Sequence, residues 1–150
     1  MLRMKWRTRF MELAEHVSTW SKDPSTQVGA VIVSPDRKRV DFGYNGFPRG
    51  VEDTDERLGD RTVKYTMVVH AEANAILNST ESVEGCSIYV WPLPPCSECA
   101  KLIIQSGITK VFYAATAKAH ERMADYEGAI AMMREAGLLV EEVATDSCMP

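Results

Sequence analysis

Two short motifs limit what this chain can become more than anything else in it. His70-Ala71-Glu72 opens an apolar run that continues to Leu77, and Pro95-Cys96-Ser97-Glu98-Cys99 places its first cysteine 26 residues beyond the histidine. One imidazole and two thiolates are donors of the kind that hold Zn²⁺, and three protein donors leave one corner of a tetrahedron for water. An open corner marks a catalytic centre, whereas a structural zinc is closed by four side chains. Glu72 stands beside the metal without binding it, where a carboxylate can take a proton from water and pass it to a leaving group. Both motifs read as helix starts, so the metal is expected between two helix N-termini at one end of a sheet. The partial positive charge of a helix start favours thiolates at Cys96 and Cys99.

The remaining chain supplies the sheet. Residues 4–20 place Trp6, Phe10, Leu13, Val17 and Trp20 at three- and four-residue steps, which predicts an amphipathic helix with this stripe in the core and His16 in solvent. Residues 28–33 are aliphatic and β-branched, a strand buried on both faces; residues 40–44 return antiparallel to it and stop at the Asn45-Gly46 turn signal. Residues 47–67 are polar and irregular, with a short helix expected around 54–58. Strands are then predicted at 86–90, 111–114 and 138–143, and helices at 96–105 and 121–136, with prolines 92, 94 and 95 forming a stiff arm between the third strand and the cysteines. Alternating strands and helices predict an α/β fold, and 150 residues suit one domain, 1–150.

Charge and cysteine content narrow the function classes. A net charge of −4 argues against a broad nucleic-acid footprint, which needs a basic face. The basic segment 1–9 lacks the apolar stretch and small-residue cleavage site of a signal peptide, and the aliphatic run 28–33 is too short to span a bilayer. A cytoplasmic protein with no membrane partner is therefore expected. Four cysteines at these spacings do not suggest a disulfide framework, and Cys86 and Cys148 read as bystanders.

With these residues in place the chain resembles the zinc-dependent cytidine and deoxycytidylate deaminases, most of all the deoxycytidylate branch. The resemblance rests on Lys22-Asp23-Pro24-Ser25-Thr26-Gln27-Val28-Gly29-Ala30, Gly43-Tyr44-Asn45-Gly46-Phe47-Pro48, the His70 motif and residues 95–107, in family order. It implies a three-layer α/β/α fold with a five-stranded mixed sheet, hydrolysis of dCMP to dUMP and ammonia, His70, Cys96 and Cys99 as ligands of one Zn²⁺, and Glu72 as proton carrier. It further implies that the Ala71 N–H holds the pyrimidine carbonyl and the Pro94 carbonyl accepts from the amine. Val28 would pack on the base, Asn45 would bond the sugar hydroxyl, and Ser25, Thr26 and Lys22 would contact phosphate or sugar. In many such enzymes the Gly43-Tyr44-Asn45-Gly46 motif lines a regulatory site, activated by dCTP with Mg²⁺ and inhibited by dTTP, in a homo-oligomer that is usually a hexamer. Asp41 and Phe42 would then stand near the effector's base.

One stretch departs from the resemblance. After the fourth strand, where the family usually carries a base-stacking tyrosine, this chain has residues 114–122 without one. Tyr113, His120 and Tyr126 are the nearby substitutes. Competing readings are a deaminase of another small amino-heterocycle, a tRNA adenosine deaminase, and a non-catalytic zinc module. The last would want a fourth ligand and leaves Glu72 without a task.

Overall fold

A computed structural model describes residues 2–148. Helix α1 (Leu2–Ser18) leads into strands β1 (Gly29–Val33) and β2 (Val40–Tyr44), then short helices α2 (Asp55–Gly59) and α3 (Arg61–Met67) and helix α4 (Ala71–Asn78). Strand β3 (Ser87–Trp91), helix α5 (Ser97–Gln105), strand β4 (Lys110–Ala114), helices α6 (Ala117–Glu121) and α7 (Met123–Glu135) and strand β5 (Leu139–Val143) complete the main elements. The sheet order is β2-β1-β3-β4-β5, with β1 antiparallel to both neighbours and β3, β4 and β5 parallel. This is the expected mixed sheet.

Strand β1 sits inside the sheet and is buried along its whole length, and its alternate residues feed two different cores. Ala30 and Ile32 face the layer built from α4, α5 and α7, where Ile88, Val90, Ile103, Val111, Ile130 and Met133 meet. Val31 and Val33 face α1, together with Phe10, Met11, Val17, Tyr89 and Phe112. Strict alternation on a pleated strand thus produces the three layers.

The expected stripe of α1 is corrected by the structure. Phe10, Met11, Ala14 and Val17 are buried, while Leu13 and Trp20 are exposed and the helix ends before Trp20. The cause is the closeness of helix to sheet. A Cβ built on Gly29 would lie 2.1 Å from the Ala14 carbonyl oxygen, so the contact face must carry small residues. Gly43 plays the same part on the other layer: its Cβ would lie 2.4 Å from the Ala75 nitrogen and 2.7 Å from the Ala71 oxygen of α4. The two glycines let a helix settle directly on backbone. Helices α3 and α6 were not expected, and among the described residues no helix is long and apolar enough to cross a membrane.

Candidate active site

His70 and Cys96 are the N-cap residues of α4 and α5, and neither side chain caps its own helix. Ser, Thr, Asp or Asn would serve a helix start better, so the identity of these caps is explained by where the side chains turn instead. His70 Nδ1 lies 3.4 Å from Cys96 Sγ and 3.3 Å from Cys99 Sγ, and the three donor atoms fall within 4.8 Å of one another. In a tetrahedral zinc site the ordinary Zn–N and Zn–S lengths give an N···S edge of about 3.6 Å. The donor set and its spacing therefore fit Zn²⁺.

Cys96 is brought down to about 3, first by the hydrogen bond with Cys99 and then by His70, and Cys99 is pushed up by the same hydrogen bond and by burial. His70 is raised, chiefly by its bond to Cys96. Glu72, on the first turn of α4, is 4% exposed, and burial pushes its carboxyl up to about 7. A carboxyl poised near neutrality can both take and give a proton.

These groups open onto a cleft of about 230 Å³. Val28, Leu93, Val68 and Tyr126 supply apolar wall, and Ala71 and Pro94 bring backbone to it beside His70, Glu72 and Cys96. Of the three candidates for the missing aromatic, Tyr126 of α7 lines the cleft, Tyr113 lies in the core, and His120 pairs with Glu142 at the surface.

The cleft's far rim holds Ser25 and Thr26, as the sequence suggests, but not Lys22. That lysine is exposed and paired with Asp53 at 3.1 Å. The cations at the cleft are Lys64 of α3 and Arg122, between α6 and α7, both unforeseen. Lys64 is buried, with Nζ 3.2 Å from Asp23 Oδ1 and 3.1 Å from Ser25 Oγ. Lys118 Nζ donates to Thr26 Oγ1 at 2.6 Å. The readable trace of α3 was Gly59-Asp60, since Asp60 caps the helix by accepting from the N–H groups of Thr62 and Val63.

Asn45 reaches the cleft with its amide already engaged. Its Oδ1 accepts from the Val28 N–H at 2.9 Å and its Nδ2 donates to the Thr26 carbonyl at 3.0 Å, so it clamps the loop from Asp23 to Val28 in shape. The rest of the 41–46 segment is taken up structurally. Asp41 pairs with Arg39, Gly43 lies against α4, Gly46 bridges to Val69, and Phe42 and Tyr44 stand exposed against Trp20.

A mixed five-stranded sheet whose helix starts present one histidine, a Cys-x-x-Cys pair and a neighbouring buried glutamate defines a zinc-dependent hydrolytic deaminase. The zinc-binding region of the cytidine and deoxycytidylate deaminases matches residues 4–115, and the chain belongs to that family. It is 51% identical over 108 residues to a protein described as an uncharacterized deaminase in the luxG 3′ region of Aliivibrio fischeri, covering 72% of this chain and 71% of that one. It is 48% identical over 118 residues to human deoxycytidylate deaminase, covering 73% of this chain and 65% of the relative. The match thus takes in a little under two thirds of the human protein. The crystal structure of dCMP deaminase from the cyanophage S-TIM5 in complex with dCMP and dUMP superposes with a TM-score of 0.72 at 26% identity, over 93% of this chain and 97% of that one.

Proposed function

We propose that residues 1–150 form a single deaminase domain that converts dCMP and water to dUMP and ammonia. The observation that carries the substrate is the pairing of an apolar, base-sized cleft at Glu72 with a polar rim on which Lys64, held by Asp23 and Ser25, and Arg122 stand beside the hydroxyls of Ser25 and Thr26. The deoxycytidylate deaminases among the relatives support the same choice. Held by His70, Cys96 and Cys99, zinc supplies the Lewis-acid activation that makes water nucleophilic at neutral pH.

The chain's own groups do the rest. Val28 and Tyr126 hold the pyrimidine ring between them, and the Ala71 N–H, free in the first turn of α4, donates to the ring carbonyl. The Pro94 carbonyl accepts from the exocyclic amine and orients it. Glu72 takes a proton from the attacking water and delivers protons to the ring and then to the departing nitrogen, so that water is consumed and ammonia leaves. Ser25, Thr26, Lys64 and Arg122 receive the 5′-phosphate, and Asn45 acts by holding the loop that presents the first two.

The test is ammonia release from dCMP, CMP, dCTP, deoxycytidine and cytosine side by side, for the wild type and Lys64→Met. dCMP should be preferred, and Lys64→Met should raise its KM about 10- to 100-fold while leaving turnover of deoxycytidine unchanged, since a charge-assisted contact to phosphate is lost. Preference for a nucleoside or free base would refute the reading.

The regulatory reading of residues 41–46, with dCTP and Mg²⁺ or with dTTP, draws less support, because packing of α4 already accounts for Gly43 and the Val69 bridge for Gly46. A dCMP saturation curve that shifts with either triphosphate would restore it. Self-association is favoured by the exposed aromatic trio Trp20, Phe42 and Tyr44 beside the sheet's edge strand β2.

A further inference from the structure

At the opposite end of the sheet from the zinc ligands, the first residues of the three parallel strands, Ser87, Lys110 and Leu139, stand side by side in register. They border a cavity of about 410 Å³ that is completed by the N-terminal half of α1 and the turn between β1 and β2. It shares no lining residue with the catalytic cleft. Its lining includes the cations Arg7, Arg37 and Lys110 and no carboxylate. In a chain with 21 acidic against 17 basic residues, that is a local inversion of charge.

The two guanidiniums are fixed in advance. Arg7 lies 4.6 Å from the Phe112 ring centroid and is braced by Glu141 at 2.7 Å, while Arg37 lies 4.8 Å from the Trp6 centroid. Stacked guanidiniums lose little freedom when they bind an anion, and their planar forks match phosphate oxygens. Arg37 also has a φ of 63°, the one positive value outside glycine among the described residues. That geometry belongs to the turn, where the Arg37 N–H donates to the Ser34 carbonyl at 2.9 Å, and it sets the direction from which the side chain leaves the backbone. A third observation is Tyr89, which lines the cavity and whose phenol oxygen, without a hydrogen-bond partner among the described residues, is open to it rather than sealed in the core.

We propose that this cavity is a second anion site that takes an oligophosphate, either free pyrophosphate or the phosphate tail of a nucleoside triphosphate. Arg7 and Arg37 grip its oxygens as forks, Lys110 adds a point charge, and Tyr89 donates from the floor.

Calorimetric titration of the zinc-loaded full chain with pyrophosphate, ATP and adenosine tests this, in the wild type, in Arg37→Gly/Lys110→Gln and in Lys64→Met. Glycine at position 37 removes a cation and relieves the backbone together, so the variant keeps its fold, as a thermal melt will verify. Pyrophosphate should bind at one site per chain, weaken at least about tenfold in the double variant, and bind Lys64→Met as it binds the wild type. ATP binding more tightly than pyrophosphate would identify the nucleoside-borne tail as the ligand, and equal affinity the free anion. Absence of binding, binding indifferent to the double variant, loss in Lys64→Met, or adenosine binding as well as ATP would each overturn the proposal.

Discussion

Glu72 shows how far one position can be argued from its surroundings. Its carboxyl is buried, sits two residues beyond His70, and is raised toward neutrality by burial. Glu72→Gln keeps the volume and removes the proton carrier, so zinc content should stay at one per chain while turnover falls about 10²–10⁴-fold; metal analysis beside ammonia release checks both. At this scale the meeting of His70, Cys96 and Cys99 was legible from spacing, because metal chemistry dictates residue type and interval. Lys64 and Arg122 were not, since a cation's value to the cleft depends on a fold that brings residues far apart in sequence to one rim. Lys22, the cation nearest in sequence to Ser25 and Thr26, pairs with Asp53 instead.

Among the elements, α4 decides whether the centre assembles, for it carries both His70 and Glu72. It is seated on β2 by Gly43, whose missing side chain lets the two backbones touch. Gly43→Ala should therefore act at a distance. Overpacking of this kind costs about 1–3 kcal/mol, and the expected result is a lower melting temperature together with reduced zinc content, read by thermal denaturation and metal analysis. Wild-type metal content and turnover would show that α4 can retreat without moving its start. The strands were well anticipated by runs of β-branched residues and turn signals. Of residues 47–67 only the short helix expected around 54–58 was legible, as α2; α3 was not, because it is too short for periodicity to announce it and is marked only by its cap, Asp60. The stripe of α1 misled for another reason: large aromatics drew attention, whereas Ala14, the smallest residue on the contact face, tells where the sheet lies.

For the molecule as a whole, zinc should contribute to the stability of the fold as well as to the reaction. A ligand present at a hundred times its dissociation constant stabilises by about 2.7 kcal/mol, which for 150 residues corresponds to a melting shift of about 5–10 °C. Chelation should lower the transition by that amount and zinc readdition should restore it; an unchanged melt would mean the helix starts are held by their surroundings alone. The α/β class follows from the alternation of strands and helices along the sequence, whereas the three layers and the mixed sheet are what the family resemblance implies and the structure shows. The charge layout does not follow from the sequence, since a net value conceals the cationic cavity at the far end of the sheet. One consequence follows from where the donors originate. The histidine comes with the hairpin half of the protein and the cysteines with the parallel half, so the chain cut in the loop between α4 and β3 yields two pieces that are each incomplete as chelators. Metal capture on mixing them would then report, like a closed circuit, that the halves have found each other.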